Sequence, residues 1–233
     1  AIGDTIARLP MVLGHEGAGI IQEVGPGVTR VKPGDHVICS FTPTCGRCKY
    51  CATGRQSVCD MNAAMLEGHL EGPRWPISGP RGQYGAMCTL GTFSQYNVIN
   101  EYSVVKVDDD IPLDKAVLVG CGVPTGWGSA VYAADTQPGD IVVIFGIGGI
   151  GINAVQGAKH AGAEHIIVID PLQNKRDKAI ELGATLAFDN AADAKVAVDE
   201  LTNGQGAESA IITTDLITSE QVSDGLSMVG RCG

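Results

Sequence analysis

The stretch IVVIFGIGGIGINAVQGAKHAGAEHIIVID, Ile141 to Asp170, decides how this chain folds. Its first five residues, IVVIF, are apolar and mostly β-branched, and read as a strand buried on both faces. A glycine-rich turn follows, then a helix-patterned run, GGIGINAVQGAKHAGA, then a second strand, HIIVID. Gly146, Ile147, Gly148, Gly149, Ile150 and Gly151 spell GxGxxG. Alone, that hexapeptide is a weak signal. Between a strand and a helix, with Asp170 ending the next strand, it has the context that a dinucleotide phosphate site requires. Gly146 allows the tight turn, Gly148 lets the backbone approach a pyrophosphate, and Gly151 lets helix and strand pack closely. The free N–H groups at the helix N-terminus favour phosphate. Asp170 is expected to accept hydrogen bonds from ribose hydroxyls and to repel a 2′-phosphate, which favours NAD over NADP. Lys175 and Arg176 lie nearby and soften that preference.

The alternation continues outward. NKRDKAIELGA reads as a helix, TLAFD as a strand, DAKVAVDELTN as a helix and ESAIITT as a strand. Strands alternating with ten-residue helices imply βαβ units and a parallel sheet, an α/β fold. Residues 1 to about 110 differ, being rich in Gly, Pro and Cys. VLGHEGAGIIQEVG, DHVICSF, FSQYNVIN and SVVKV read there as short strands between turns. Asn62 to Met87 reads as a loop or excursion without a regular element. The domain boundary is placed near Cys121–Gly122.

Composition narrows the partners. Among 233 residues, 44% are apolar and 18% charged, with 32 glycines and a formal net charge of −10. Without a basic cluster, that charge disfavours nucleic acid and anionic membrane as partners. No apolar run is long enough to span a membrane. AIGDTIARLP lacks the features of a secretory signal, so a cytoplasmic location is expected. Eight cysteines in such a chain point toward metal or catalysis before disulfides.

Four of those cysteines, Cys45, Cys48, Cys51 and Cys59, are spaced C-x2-C-x2-C-x7-C. Thiolates held so closely, with Gly46 and Gly54 permitting tight turns, can reach one tetrahedral ion. Four thiolates fill every position and leave none for substrate, so such a zinc is structural. An iron–sulfur cluster and a pair of disulfides are the alternatives. Elsewhere, His15 and Glu16 lie in the first strand region and Cys121 at the domain junction. Singly, each has a bland reading, a satisfied histidine or a small buried thiol. Cys39, Cys88 and Cys232 read as small buried residues. His36 follows the Gly34-Asp35 turn and reads as local structure, not a ligand, His69 lies in the excursion, and His160 and His165 flank the end of the glycine-turn helix.

GHEGAGIIQEVGPGVTRVKPGDHV, the four-cysteine loop, GCGVPTGWGSAV and FGIGGIG, in that order and spacing, resemble the zinc-dependent medium-chain alcohol dehydrogenases. The resemblance covers nearly the whole chain. It implies a GroES-like catalytic domain over residues 1–121, with a structural zinc lobe at 42–60, and a Rossmann NAD-binding domain over 122–233. It makes His15 and Cys121 two of three protein ligands of a catalytic zinc and puts Glu16 behind that metal. Thr125 would line the nicotinamide side, with Phe93 near the substrate channel. Cofactor contacts would then come from Thr125, the turn Gly146–Gly151, Asp170 and Lys175.

The family's first catalytic ligand is a cysteine well before GHE, followed by a hydroxyl residue of the proton relay. The chain is therefore expected to be an internal fragment of a longer enzyme, truncated in both domains and inactive alone. NAAMLEGHLEGPRWPISGPRGQYGAMCTLGTFSQYNVINEY resembles the actinobacterial nitrosodimethylaniline-dependent members, nicotinoproteins that keep NAD bound and use an external acceptor such as mycofactocin. GTFSQYNVINEYSV and GCGVPTGWGSAV also resemble the glutathione-dependent formaldehyde dehydrogenases. The implied reaction is oxidation of a primary alcohol to an aldehyde, with hydride passing to NAD, in a homo-oligomer. The competing readings are a zinc-free quinone or enoyl reductase and a non-catalytic, zinc-stabilised NAD-binding module.

Overall fold

The computed structural model describes residues 9–63, 65–70, 74–231 and 233. Cys232, assigned above to a buried position, lies outside them. The chain divides into two compact units, Ala1–Cys121 and Gly122–Gly233.

The first unit contains β1 (Met11–Val12), β2 (Ala18–Ile20), β3 (His36–Cys39), α1 (Lys49–Ala52), β4 (Ile77–Gly79), β5 (Gly82–Ala86), β6 (Val104–Lys106) and α2 (Leu113–Ala116). These strands form two three-stranded sheets, ordered β1-β5-β4 and β2-β3-β6. In the second sheet, β3 pairs antiparallel with β2 and β6. Two carboxylates pin its turns. Asp35 is buried, accepts from the Lys32 N–H at 2.9 Å and meets Lys106 Nζ at 2.6 Å. Glu101 accepts from the N–H groups of Thr29 and Arg30 at 3.0 and 3.1 Å.

Two sequence expectations change here. FSQYNVIN is not a strand but a series of bends. The Ser94 hydroxyl donates to the Tyr96 carbonyl at 2.8 Å and also bonds Asn97, a local side-chain solution that competes with a ladder. The Asn62–Met87 excursion carries a regular element after all, the hairpin β4–β5, in which Gly79 pairs with Gly82 around Pro80-Arg81. Its Pro and Gly close a two-residue turn, and β5 then pairs parallel with β1. His36 opens β3, within the strand expected at DHVICSF.

The second unit begins with α3 (Gly122–Gly128) and a π-helical turn at Ser129–Ala133. Then follow β7 (Ile141–Phe145), α4 (Gly149–Ala161), β8 (His165–Ile169), α5 (Gln173–Leu182), β9 (Leu186–Phe188), α6 (Ala191–Thr202), β10 (Ser209–Ile212) and α7 (Ser219–Met228). The strands form one parallel sheet, β10-β7-β8-β9. Every residue of β7 is buried, because helices cover both faces of the sheet. Val142 and Ile144 pack with Ala154, Val155 and Ala158 of α4 on one face. Val143 and Phe145 pack with Ala194 and Val198 of α6 and Met228 of α7 on the other. The sequence reading did not include α7, although Thr218 and Gln221 form a complete capping box at its start.

The Asp35–Lys106 pair makes stability of the first unit pH-dependent. Lys106 and the Lys32 N–H hold the Asp35 carboxyl below its ordinary value. A folded-state value lowered this way contributes stability that is present above the unfolded value of about 3.9 and lost as pH falls through the folded one. Asp35→Asn is expected to lower the melting temperature at pH 7, with the difference from wild type closing in strong acid, as thermal melts across pH 2–7 would show.

Candidate functional site

Four sulfurs converge in the first unit. The Sγ atoms of Cys45, Cys48, Cys51 and Cys59 all lie within 4.8 Å of one another. Cys45 to Cys51 is 4.0 Å and Cys48 to Cys59 is 3.9 Å. Four sulfurs at about 2.3 Å from a tetrahedral zinc stand about 3.8 Å apart, so the cluster is already close to its ligand geometry. Gly46 and Gly54 hold φ of +76° and +78° with open space where a Cβ would stand, so these turns need glycine for conformation and not for room. Backbone N–H groups point at the sulfurs: Cys48 N–H to Cys45 Sγ at 3.4 Å, and Cys51 N–H to Cys48 Sγ at 3.5 Å. N–H groups of Asp60 and Cys51 pull the Cys48 thiol down to about 6, favouring thiolate at neutral pH. Burial pushes Cys51 the other way, up to about 12. Among the described residues this is the one group of three or more His, Cys, Asp or Glu side chains arranged to hold a metal.

His15 and Glu16 follow the Gly14 turn, whose φ is +94°. A Cβ on Gly14 would stand 2.6 Å from Thr92 Oγ1. The Thr92 and Phe93 N–H groups donate to the Gly14 and Leu13 carbonyls at 3.0 and 2.9 Å, and the Thr92 hydroxyl donates to the Glu16 carbonyl at 2.7 Å. The His15 ring meets Phe41 edge-on with centroids 5.8 Å apart. From the other side comes Gly120, where a Cβ would lie 2.8 Å from the Cys39 carbonyl and 3.7 Å from the Glu16 Cα. Its backbone packing brings Cys121 to the segment carrying His15 and Glu16. Phe93 stands 78% exposed beside them. Cys88, read as a bland buried residue, is partly buried, with φ of +53°, and the next residue, Thr89, has +60°. Two successive non-glycine residues in the left-handed region are uncommon. Burial and then the neighbouring Cys121 raise the Cys88 thiol. The sequence carried no signal for it.

In the second unit the turn after β7 has φ of +82° at Gly146. A Cβ on Gly151 would stand 1.9 Å from the Gly146 carbonyl oxygen, so α4 can start here only with glycine. Around Gly148 and Gly149 the space is open, which leaves the N-terminal N–H groups of α4 accessible to a phosphate. Ile150 is exposed and Ile147 buried. Asp170, expected to face a ribose, is 3% exposed. Its Oδ2 accepts from the Ile147 N–H at 2.8 Å and its Oδ1 from the Leu172 N–H at 2.9 Å. Lys175 Nζ lies 3.6 Å from the same carboxylate, and Arg176 donates to the Asp170 carbonyl at 2.7 Å. Both cations are thus drawn onto Asp170. Thr125 is exposed on α3.

Comparison with known proteins accounts for both units. Residues 2–109 match the alcohol dehydrogenase GroES-like domain, and residues 149–232 match the zinc-binding dehydrogenase domain. The chain belongs to the zinc-dependent alcohol dehydrogenase family. Within that family it is 56% identical to the NDMA-dependent alcohol dehydrogenase of Amycolatopsis methanolica, over 99% of this chain and 62% of that protein. Alcohol dehydrogenase B of Mycobacterium tuberculosis is 42% identical, over 98% and 61%. Among solved structures, benzyl alcohol dehydrogenase from Acinetobacter calcoaceticus superposes with a TM-score of 0.82 at 31% identity, covering 97% of this chain and 61% of that one. An alcohol dehydrogenase zinc-binding domain protein from Burkholderia ambifaria gives 0.85 at 32%, covering 98% and 62%. The chain therefore spans about three-fifths of the length of these relatives.

For a member of this family, the preformed sulfur cluster fits a structural zinc. Cys51→Ser is expected to release zinc from the lobe, lower the melting temperature and make 42–60 a site of proteolytic nicking. Metal analysis, thermal melts and limited proteolysis with mass spectrometry check this, and strong chelation of the wild type should reproduce it.

Proposed function

We propose that the protein containing this chain oxidises a primary alcohol to an aldehyde, with NAD as hydride acceptor. The observation that supports this reading is the packing of Gly120, the residue before Cys121, against Glu16 and Cys39. An imidazole and a thiolate are donors that suit zinc, and two protein donors leave positions open for substrate. In this reading His15 and Cys121 hold a catalytic ion and Glu16 stands behind it. The first unit is the catalytic domain, with the four-cysteine lobe as its structural support, and the second is the NAD-binding domain.

When bound, zinc acts as a Lewis acid on a substrate hydroxyl and NAD as the hydride acceptor. The chain's own residues supply binding and position. The N–H groups at Gly148 and Gly149 bind pyrophosphate at the start of α4. Asp170 and Lys175 take the ribose hydroxyls, and the carboxylate disfavours a 2′-phosphate. Thr125 stands at the nicotinamide, and Phe93 borders the path of the substrate.

The similarity to an NDMA-dependent relative supports a finer reading. NAD stays tightly bound and is reoxidised in place by an external acceptor of the mycofactocin kind. A cytoplasmic homo-oligomer is the expected setting.

In the full-length protein, Cys121→Ala and His15→Ala are expected to lose the catalytic ion while the four-cysteine ion stays, and alcohol oxidation should fall by orders of magnitude. Unchanged zinc content and rate would sink the assignment. Denaturing the purified protein should release NAD in near-stoichiometric amount. An empty supernatant, with activity dependent on added NAD, would instead mark an ordinary dehydrogenase.

A further inference from the structure

One peptide group in the second unit is held from both ends by side chains of the two neighbouring strands. It joins Gly146 to Ile147 and is the first of the glycine turn. Its carbonyl accepts from the Thr213 hydroxyl at 2.6 Å, just past the end of β10. Its N–H donates to Asp170 Oδ2 at 2.8 Å, just past the end of β8. A trans peptide is planar with its C=O and N–H pointing opposite ways. Two such partners on opposite sides therefore fix the orientation of the whole plane. Further bonds anchor the clamp. The Gly146 N–H donates to the Ile169 carbonyl at 2.8 Å, the Thr213 N–H to the Phe145 carbonyl at 2.8 Å, and the Thr213 hydroxyl also reaches the Phe145 carbonyl at 3.1 Å.

The clamp acts where the chain is most free to rotate. Gly146 has no Cβ and holds φ of +82°, so nothing in its own side chain limits the turn. The first turn of α4 closes on the same carbonyl. A Cβ at Gly151 would stand 1.9 Å from the Gly146 oxygen and 2.7 Å from Thr213 Oγ1. Thr213 thus reaches the oxygen against which α4 starts, and a rotation of this peptide would move the helix N–H groups that face the phosphate. Each oxygen of Asp170 retains lone-pair capacity for a ribose hydroxyl after accepting one N–H. One carboxylate can therefore hold the turn and read the sugar at once.

We propose that Thr213 is a positioning residue for the dinucleotide: with Asp170 it clamps the Gly146–Ile147 peptide and sets the pyrophosphate-binding turn in its bound geometry before ligand arrives. This rests on the reading that the second unit binds NAD. Ordering the turn in advance removes that cost from binding. The gain falls on ligands that carry the pyrophosphate, not on the adenosine part.

The experiment uses full-length protein stripped of nucleotide and compares ADP-ribose with adenosine. Thr213→Val removes the hydroxyl at nearly constant shape, Thr213→Ala removes it without crowding, and Thr213→Ser keeps it. Loss of one partly buried hydrogen bond predicts roughly fivefold to tenfold weaker ADP-ribose binding in the Val and Ala variants. Adenosine affinity and kcat at saturating NAD should be unchanged, and Ser should restore ADP-ribose binding. Unchanged ADP-ribose affinity in Val and Ala would overturn the proposal. So would an equal loss for both ligands that Ser does not restore, since that is general loosening. A wild-type protein that binds neither ADP-ribose nor NAD would overturn the dinucleotide reading itself.

Discussion

The second unit depends on how closely one helix is allowed to approach its neighbours. The start of α4 presses on the carbonyl of Gly146, and α3 crosses its flank. A Cβ on Gly126 would lie 2.0 Å from the Ile150 carbonyl, and one on Gly157 would lie 2.9 Å from that of Trp127. At these points only glycine leaves room for backbone on backbone. The approach sets the position of the helix N-terminus over the sheet, and with it where a phosphate can be held. Alanines between the glycines, Ala154 and Ala158, then seal the same helix against β7. Tight packing and anion binding are in this way two results of one spacing of small residues.

The first unit brings its side chains together in two opposite ways. The four-cysteine lobe is local and self-sufficient, with its ligands on one short loop and its own N–H groups turned toward the sulfurs. Closed coordination makes it a substitute for the hydrophobic core that such a loop cannot form, and metal binding of this kind contributes about 10–16 kcal/mol to local folding. The segments that carry His15, Glu16 and Cys121 are instead brought together from distant parts of the unit, by backbone packing at Gly14 and Gly120. In the proposed catalytic reading, donors held in this way by the surrounding structure, and not by each other, would leave positions open for substrate.

Elements whose signal is short-range were legible. The alternation of apolar strands and amphipathic helices after Ile141 required a parallel α/β sheet, and every strand read there is present. The cysteine spacing pointed to one tetrahedral site, and the sulfurs do converge. Segments decided by competing local bonds were misread. FSQYNVIN has the composition of a strand, but the hydroxyl of Ser94 bonds within the segment and bends it. The β4–β5 hairpin was hidden because Pro80 and its flanking glycines look the same in an irregular loop as in a tight turn. The capping box before α7 was present in the letters and went unread.

The sequence by itself determined the parallel sheet, the glycine turn at its centre, the four-thiolate lobe and membership of a zinc dehydrogenase family, because each is carried by residues close together along the chain. Only the tertiary structure decided that Asp170 turns inward to the Ile147 N–H, that Thr213 reaches the Gly146 carbonyl, and that Cys88 and Thr89 both take left-handed backbone. These depend on which strand ends lie side by side and which backbone groups remain to be satisfied once they do. No local pattern encodes that. It follows from strand order, and strand order is settled only when the sheet is assembled.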